Sequence, residues 1–302
     1  MPVKTCNFNE MILLKTYNIN PIKKLIFILV LMLGTCYYSY AQQEQYLTQT
    51  KISDDLYYSE INDSIYMITH YFPTWGANSM FVLLPENKGV LIDTPCEITG
   101  TASLLNWISK KFGDLKLTAI VTGFHQDNLG GDELLFSKGI DVYGSDLTKQ
   151  LLAEERDTLK KIIVASVKDN KNKKYLNSYS SLNLVGPNKT FPIHKGLILK
   201  IENEIFEVYF PGESHTKDNT VVYLHNNKLL FGGCMIKGLM YKTPGYTGFA
   251  NMNEWPGSVA RVIERFPGCR IVVPGHGDWG NTELLSHTID ILNSWNSEHN
   301  SR

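Results

Sequence analysis

Val121-Thr-Gly-Phe-His125-Gln-Asp127-Asn-Leu-Gly-Gly131 is the stretch on which the reading of this chain turns. An apolar strand, Leu117 to Val121, runs straight into it, and a helix is expected from Gly130 onward. An imidazole and a carboxylate, both able to bind a cation, therefore sit two residues apart at a strand end. Three further clusters repeat the arrangement: Gly212-Glu-Ser-His215, Gly232-Gly-Cys234 and Pro274-Gly-His276-Gly277. Each follows an apolar strand within a residue or two and has glycine beside it, which lets backbone and ligand approach closely. Sites in sheets gather at strand ends, so the four clusters can meet in one cleft. His, Cys and Asp together are ligands of a borderline-soft cation such as zinc. Taken singly, each has a plainer reading: His125 as a loop residue, Asp127 as a helix N-cap, Cys234 as a small core hydrophobe. Their joint occurrence, in this order, favours the metal.

Outward from these clusters the chain alternates short apolar stretches with helical patterns. Strands are expected over Ile65–Ile68, Met80–Leu84, Val90–Ile92, Ile198–Ile201, Glu204–Phe210, Thr220–Leu224, Lys228–Phe231 and Arg270–Val273. Helical spacing covers Thr101–Phe112 behind a Thr99-Gly100 start signal, Asp146–Val167 as one or two helices, Trp255–Phe266 and Thr282–Trp295. Lys168–Pro192 is polar, basic and poorly periodic and reads as part of a surface insertion at about 150–192. This order of elements gives an α/β protein with mixed sheets and helices outside.

The 302 residues are 43% hydrophobic and only 20% charged, which excludes disorder as the default. A formal net charge of -1 gives no electrostatic grip on nucleic acid, and no such partner is expected. Near the N-terminus, Lys23-Lys24 precede the apolar run Leu25–Leu33, and Ser39-Tyr-Ala41 follows. A basic region, a short apolar core and a small-x-small site describe a secretory signal peptide over 1–41, with cleavage after Ala41 and a periplasmic product. The run is too short for a stable membrane span, which needs about 20 apolar residues. Lipid anchoring at Cys36 is the weaker alternative, because threonine precedes that cysteine. Cleavage leaves a single domain over 42–302, expected to act as a monomer, with a net charge near -4 and three cysteines, Cys96, Cys234 and Cys269. An odd number in an oxidising compartment leaves at least one thiol that must be buried, bound or reactive.

At this point the chain resembles the class B metallo-β-lactamases, closest to subclass B1, over about Ile65 to Leu292. The likeness rests on the strand-end stretch above and on Leu91-Ile-Asp93-Thr-Pro95, Pro211-Gly-Glu-Ser-His215-Thr-Lys-Asp218-Asn219, Phe231-Gly-Gly-Cys234-Met-Ile-Lys237, Val273-Pro-Gly-His276-Gly277, Trp255 and Glu283-Leu-Leu-Ser-His287-Thr. The resemblance implies an αββα sandwich, two mixed β-sheets flanked by helices, with zinc at one edge. It also implies an exported hydrolase that opens the β-lactam ring of antibiotics and so confers resistance, carbapenems among its substrates.

In that subclass the strand-end motif is His-x-His-x-Asp, whereas this chain has Gly123 at the first histidine. The family's three-histidine site would retain only His125 and His215, while the other, Asp127, Cys234 and His276, is complete. One zinc is therefore expected to be bound firmly at the Asp/Cys/His site and a second only weakly. Subclass B2 also lacks that histidine and works with one zinc, so by analogy His125 with Asp127 would position or deprotonate the attacking water and His215 would hold water or product. The rival reading is that Glu213 or a water rebuilds a second site. Lys237, three residues after Cys234, would pair with the substrate carboxylate; its plainer reading is a solvated surface lysine. Tyr246 is the nearest match to an asparagine that assists the substrate carbonyl, and Trp75, in Pro73-Thr-Trp75-Gly76, is either a lid residue or a packed turn residue. Two other functions compete: hydrolysis of an ester, thioester or lactone on the same fold, and zinc binding without catalysis.

Overall fold

A computed structural model describes residues 48–72 and 76–299. The expected signal peptide and Trp75 lie outside the described residues. From Gln49 onward the chain forms one compact unit. Its first half builds β1 (Thr50–Lys51), β2 (Leu56–Asn62), β3 (Ile65–Tyr71), β4 (Gly76–Leu84) and β5 (Lys88–Ile92), then α1 (Ile98–Phe112) and β6 (Lys116–Ile120). Two short helices follow, α2 (Gln126–Leu129) and α3 (Asp132–Ser137), then β7 (Asp141–Ser145), α4 (Asp146–Val167), α5 (Lys173–Ser181) and β8 (Lys189–Phe191). The second half contains β9 (Leu197–Ile201), β10 (Glu204–Tyr209), β11 (Val221–Leu224), β12 (Leu229–Lys237), α6 (Trp255–Arg265), β13 (Ile271–His276) and α7 (Glu283–His299).

β1 to β8 lie in sequence order in one sheet, and β13-β12-β11-β10-β9 form the other. Both are mixed: β5 to β8 pair in parallel, as do β12 and β13, and the remaining neighbours are antiparallel. Alternation gives each strand two faces, and in the central strands both are buried. In β5, Leu91 joins Leu104 and Ile108 of α1 and Leu152, Leu159 and Ile163 of α4 in one helix-facing core. Its neighbours Val90 and Ile92, fully buried as well, fall outside that cluster. In the second half, Val221, Leu230 and Val272 pack with Trp255, Val259 and Val262 of α6 and Leu284, Leu285 and Leu292 of α7. The result is the αββα sandwich implied by the sequence.

Several boundaries differ from the sequence reading for physical reasons. Helix α1 starts at Ile98 because Glu97 caps it, accepting the N–H groups of Thr99 and Gly100. Strand β12 continues through Gly232-Gly233 rather than stopping at Phe231. Its register against β13 shifts on both sides of Gly233, which sits at φ 53°, so the glycine pair bulges the strand without ending it. Asp146–Val167 is one helix of 22 residues. Lys168–Pro192, expected at the surface, carries α5 and β8 and buries Tyr179, Leu182, Leu184 and Phe191. Its buried apolar residues are few, so a polar average concealed them. Among the described residues no helix is long and apolar enough to cross a membrane.

Candidate metal centre

The two sheets meet where β6 ends and where β12 and β13 run out. His125 caps α2 with extended backbone, and Asp127 is the second residue of that helix rather than its cap. Cys234 lies within β12, and His276 ends β13. A side chain at Gly275 would collide with the Cys234 amide, at 2.6 Å, so only glycine lets the two strands close at this level. The ligand atoms of Asp127, Cys234 and His276 all lie within 4.8 Å of one another. Cys234 Sγ is 3.4 Å from Asp127 Oδ2, and His276 Nε2 is 3.3 Å from the same oxygen.

Groups behind the trio hold it in place. His276 Nδ1 is 2.9 Å from the carbonyl of Gly76 and, as its donor, leaves Nε2 free to ligate. Asn128 Nδ2 is 3.7 Å from Cys234 Sγ and donates to Asp93 Oδ2 at 2.8 Å. Asp93 also accepts Thr122 N–H and Thr122 Oγ1–H, each at 2.7 Å, which over-determine its left-handed backbone at φ 58°. Burial opposes ionisation of Asp127, yet His276, His125 and His215 around it hold its carboxyl below the usual range. Burial, then the Asp127 charge, push the Cys234 thiol up, so a cation is what would make this sulfur a thiolate. Asp127 Oδ1, buried, has no hydrogen-bond partner. The donor set, its supports and that orphaned oxygen fit a zinc ion.

His125 and His215 stand beside the trio with ring centroids 5.1 Å apart and planes at 90°. Phe124 and Phe249 pack on His125, and Trp255 packs on His215. Burial lowers His125 to about 4 and His215 further below its ordinary value. His125 Nε2 and His215 Nδ1 are buried without a hydrogen-bond partner. The space beside Gly123 is already filled: a Cβ there would stand 2.7 Å from Asn219 Nδ2 and 3.2 Å from Asn128 Oδ1. Asn219 is fixed there, since its Oδ1 accepts Thr216 N–H at 2.7 Å and Ser214 Oγ–H at 3.2 Å. Glu213 is engaged elsewhere, accepting from Asn251 Nδ2 at 2.8 Å.

A cavity of about 530 Å³ opens on this centre, lined by His125, Asp127, His215, Lys237, Tyr246 and His276 among others. Lys237 is only 5% exposed, with Nζ 5.2 Å from the Trp255 ring, which in turn donates Nε1–H to the Met235 carbonyl. It is thus no solvated surface lysine. Tyr246, 49% exposed, stands at the mouth. The three cysteines among the described residues are unpaired; Cys96 and Cys234 are buried and Cys269 is half-buried. The sequence reading passed over four contributors. Asn128 and Asp93 lay inside quoted motifs without a role, Phe249 carries no local signal, and the Gly76 carbonyl is a backbone group that no side-chain pattern marks.

A two-sheet sandwich with an Asp/Cys/His trio at its seam defines a class of metal-dependent hydrolase. No protein-family model matches the chain. Curated relatives do: a "Metallo-beta-lactamase type 2" of Bacteroides fragilis is 30% identical over 277 residues, covering 90% of this chain and 97% of the relative. The enzyme of the same description from Bacillus cereus is 31% identical over 237 residues, covering 78% and 81%. Among solved structures, a metallo-β-lactamase from Pontibacter korlensis is 33% identical with a TM-score of 0.65, covering 79% of this chain and 99% of that one. The chain belongs to the metallo-β-lactamase family.

Proposed function

We propose that this chain is an exported β-lactamase that hydrolyses the ring amide of β-lactam antibiotics, carbapenems included, with one zinc held firmly by Asp127, Cys234 and His276. The convergence of those three ligand atoms within 4.8 Å is the observation that carries the reading. Three facts support a single firm site. Among the described residues one such trio comes together, Asn219 fills the space beside Gly123, and Glu213 is bonded to Asn251. Zinc held by these three side chains would supply Lewis acidity to the site. His125, neutral through burial, can accept a proton from the attacking water, with Asp127 orienting it. The water oxygen bonds to the carbonyl carbon, the C–N bond breaks, and the proton returns to the ring nitrogen. Lys237 offers a point charge to the carboxylate beside the scissile amide. His215 holds water or the opened product. Export rests on Lys23-Lys24, Leu25–Leu33 and Ala41.

The test is imipenem hydrolysis by the purified protein, followed from chelated to micromolar free zinc, with bound zinc measured in parallel. Activity that saturates at one zinc per chain is the expected result. Activity that appears only with a second ion overturns the single-zinc part. No turnover of imipenem, penicillins or cephalosporins at any zinc level overturns the β-lactamase reading as a whole.

A further inference from the structure

The cavity over the metal centre has two unlike faces. Its floor carries His125, Asp127, His215, Lys237 and His276. Three apolar residues of α4, Leu159, Ile162 and Ile163, line the same space with Tyr179 of α5 and Phe72, and Ser166 of α4 joins them. The three α4 residues fall at positions i, i+3 and i+4, which share one helix face. Leu159, Ile163 and Tyr179 are nearly inaccessible, whereas Ile162 is half-buried and reachable from the opening. Tyr179 offers ring rather than donor, because its hydroxyl donates to the Phe72 carbonyl at 3.2 Å. An anion placed against the wall of Leu159, Ile162, Ile163 and the Tyr179 ring would shed water and find no cation among those side chains.

A β-lactam fixes which part of itself meets this wall. Its ring amide and adjoining carboxylate must address the floor, through the metal ligands and Lys237. The substituent on the carbon next to the ring carbonyl projects from the other end of the ring. We infer that α4 and α5 form an apolar recess that selects this substituent, favouring an uncharged aromatic or aliphatic acyl group over an ionised one, with Ile162 as the residue that sets the preference. The inference rests on the β-lactamase reading and adds a specificity determinant to it.

The experiment compares kcat/KM for benzylpenicillin and carbenicillin, which differ by one carboxylate on the benzylic carbon, in the zinc-loaded protein and in Ile162→Lys and Ile162→Asn. The parent protein is expected to favour benzylpenicillin by about tenfold or more, the lower range for one mismatched group in an apolar pocket, chiefly through KM. Ile162→Lys brings the ratio below about threefold by lowering KM for carbenicillin, and Ile162→Asn falls between them. Zinc content and far-ultraviolet circular dichroism show whether each variant is folded. Brisk but equal turnover of both penicillins by the parent, or a ratio that folded variants leave unchanged, overturns the recess alone. No turnover of either penicillin or of imipenem removes the β-lactamase reading and the recess with it.

Discussion

His276 reaches its place with one ring nitrogen 2.9 Å from a backbone carbonyl, and Cys234 has the Asn128 amide at 3.7 Å. A few ångströms away, His125 and His215 are held by Phe124, Phe249 and Trp255, and each keeps a buried nitrogen bare. One half of the centre is tuned through hydrogen bonds, the other is packed by rings. Hydrogen bonds set tautomer and ligand basicity, the properties a firmly bound cation needs. Ring packing sets position and excludes water while leaving both imidazoles neutral, so each keeps a lone pair that can take a proton or a metal.

That contrast can be broken from either side. Cys234→Ala removes a ligand from the tuned half; zinc affinity, measured by competition with a chromophoric chelator, should fall by more than about 100-fold, beyond the usual effect of losing a supporting partner. Asn128→Ala leaves all three ligands but strips the sulfur and Asp93 of their shared donor, and the same assay should show about a 10- to 100-fold loss. An effect of the second change as large as the first would mean that the trio is not the principal holder.

The smallest effect concerns stability away from the centre. His70 is buried against Phe72, its Nδ1 accepts the Cys96 N–H at 3.1 Å, and its Nε2 lies 3.9 Å from Glu97. Burial outweighs the Glu97 charge and lowers His70 to about 4, so the pair is a neutral imidazole beside a carboxylate. Below its ordinary value of 6.5 the unfolded chain takes up a proton that the folded chain refuses. Stability is thus complete above pH 6.5 and is lost as pH falls toward 4, by about 3 kcal/mol. Urea denaturation of the parent and of His70→Gln at both pH values should show most of that loss only in the parent.

The four ligand-bearing clusters were legible because glycine and a chemically loaded residue coincide at the end of each apolar run. Period-2 and helical spacing likewise placed most strands and all four long helices. What escaped notice was encoded without contrast. Lys173–Ser181 reads as polar because only Tyr179 of that helix is buried, yet Tyr175 and Tyr179, four apart, pack edge-on to Phe72. The Gly232-Gly233 pair reads as a strand end because sequence alone does not distinguish a bulge from a stop. Gly123 reads as an empty ligand position, whereas Asn219, ninety-six residues on, occupies the space in front of it.

One feature of the seam reaches beyond the reaction. Asp127 follows a strand of the first sheet, while Cys234 and His276 belong to the second, and Gly76 and Asn78 of the first sheet bond to His276 and to the carbonyls of Pro274 and Gly277. A cation gripped by all three ligands is a cross-tie between the two layers, absent from the unfolded chain. At a hundredfold excess over its dissociation constant, such a tie adds about 2.7 kcal/mol to the cohesion of the sandwich. Metal starvation would then act on the lifetime of the protein as well as on its turnover.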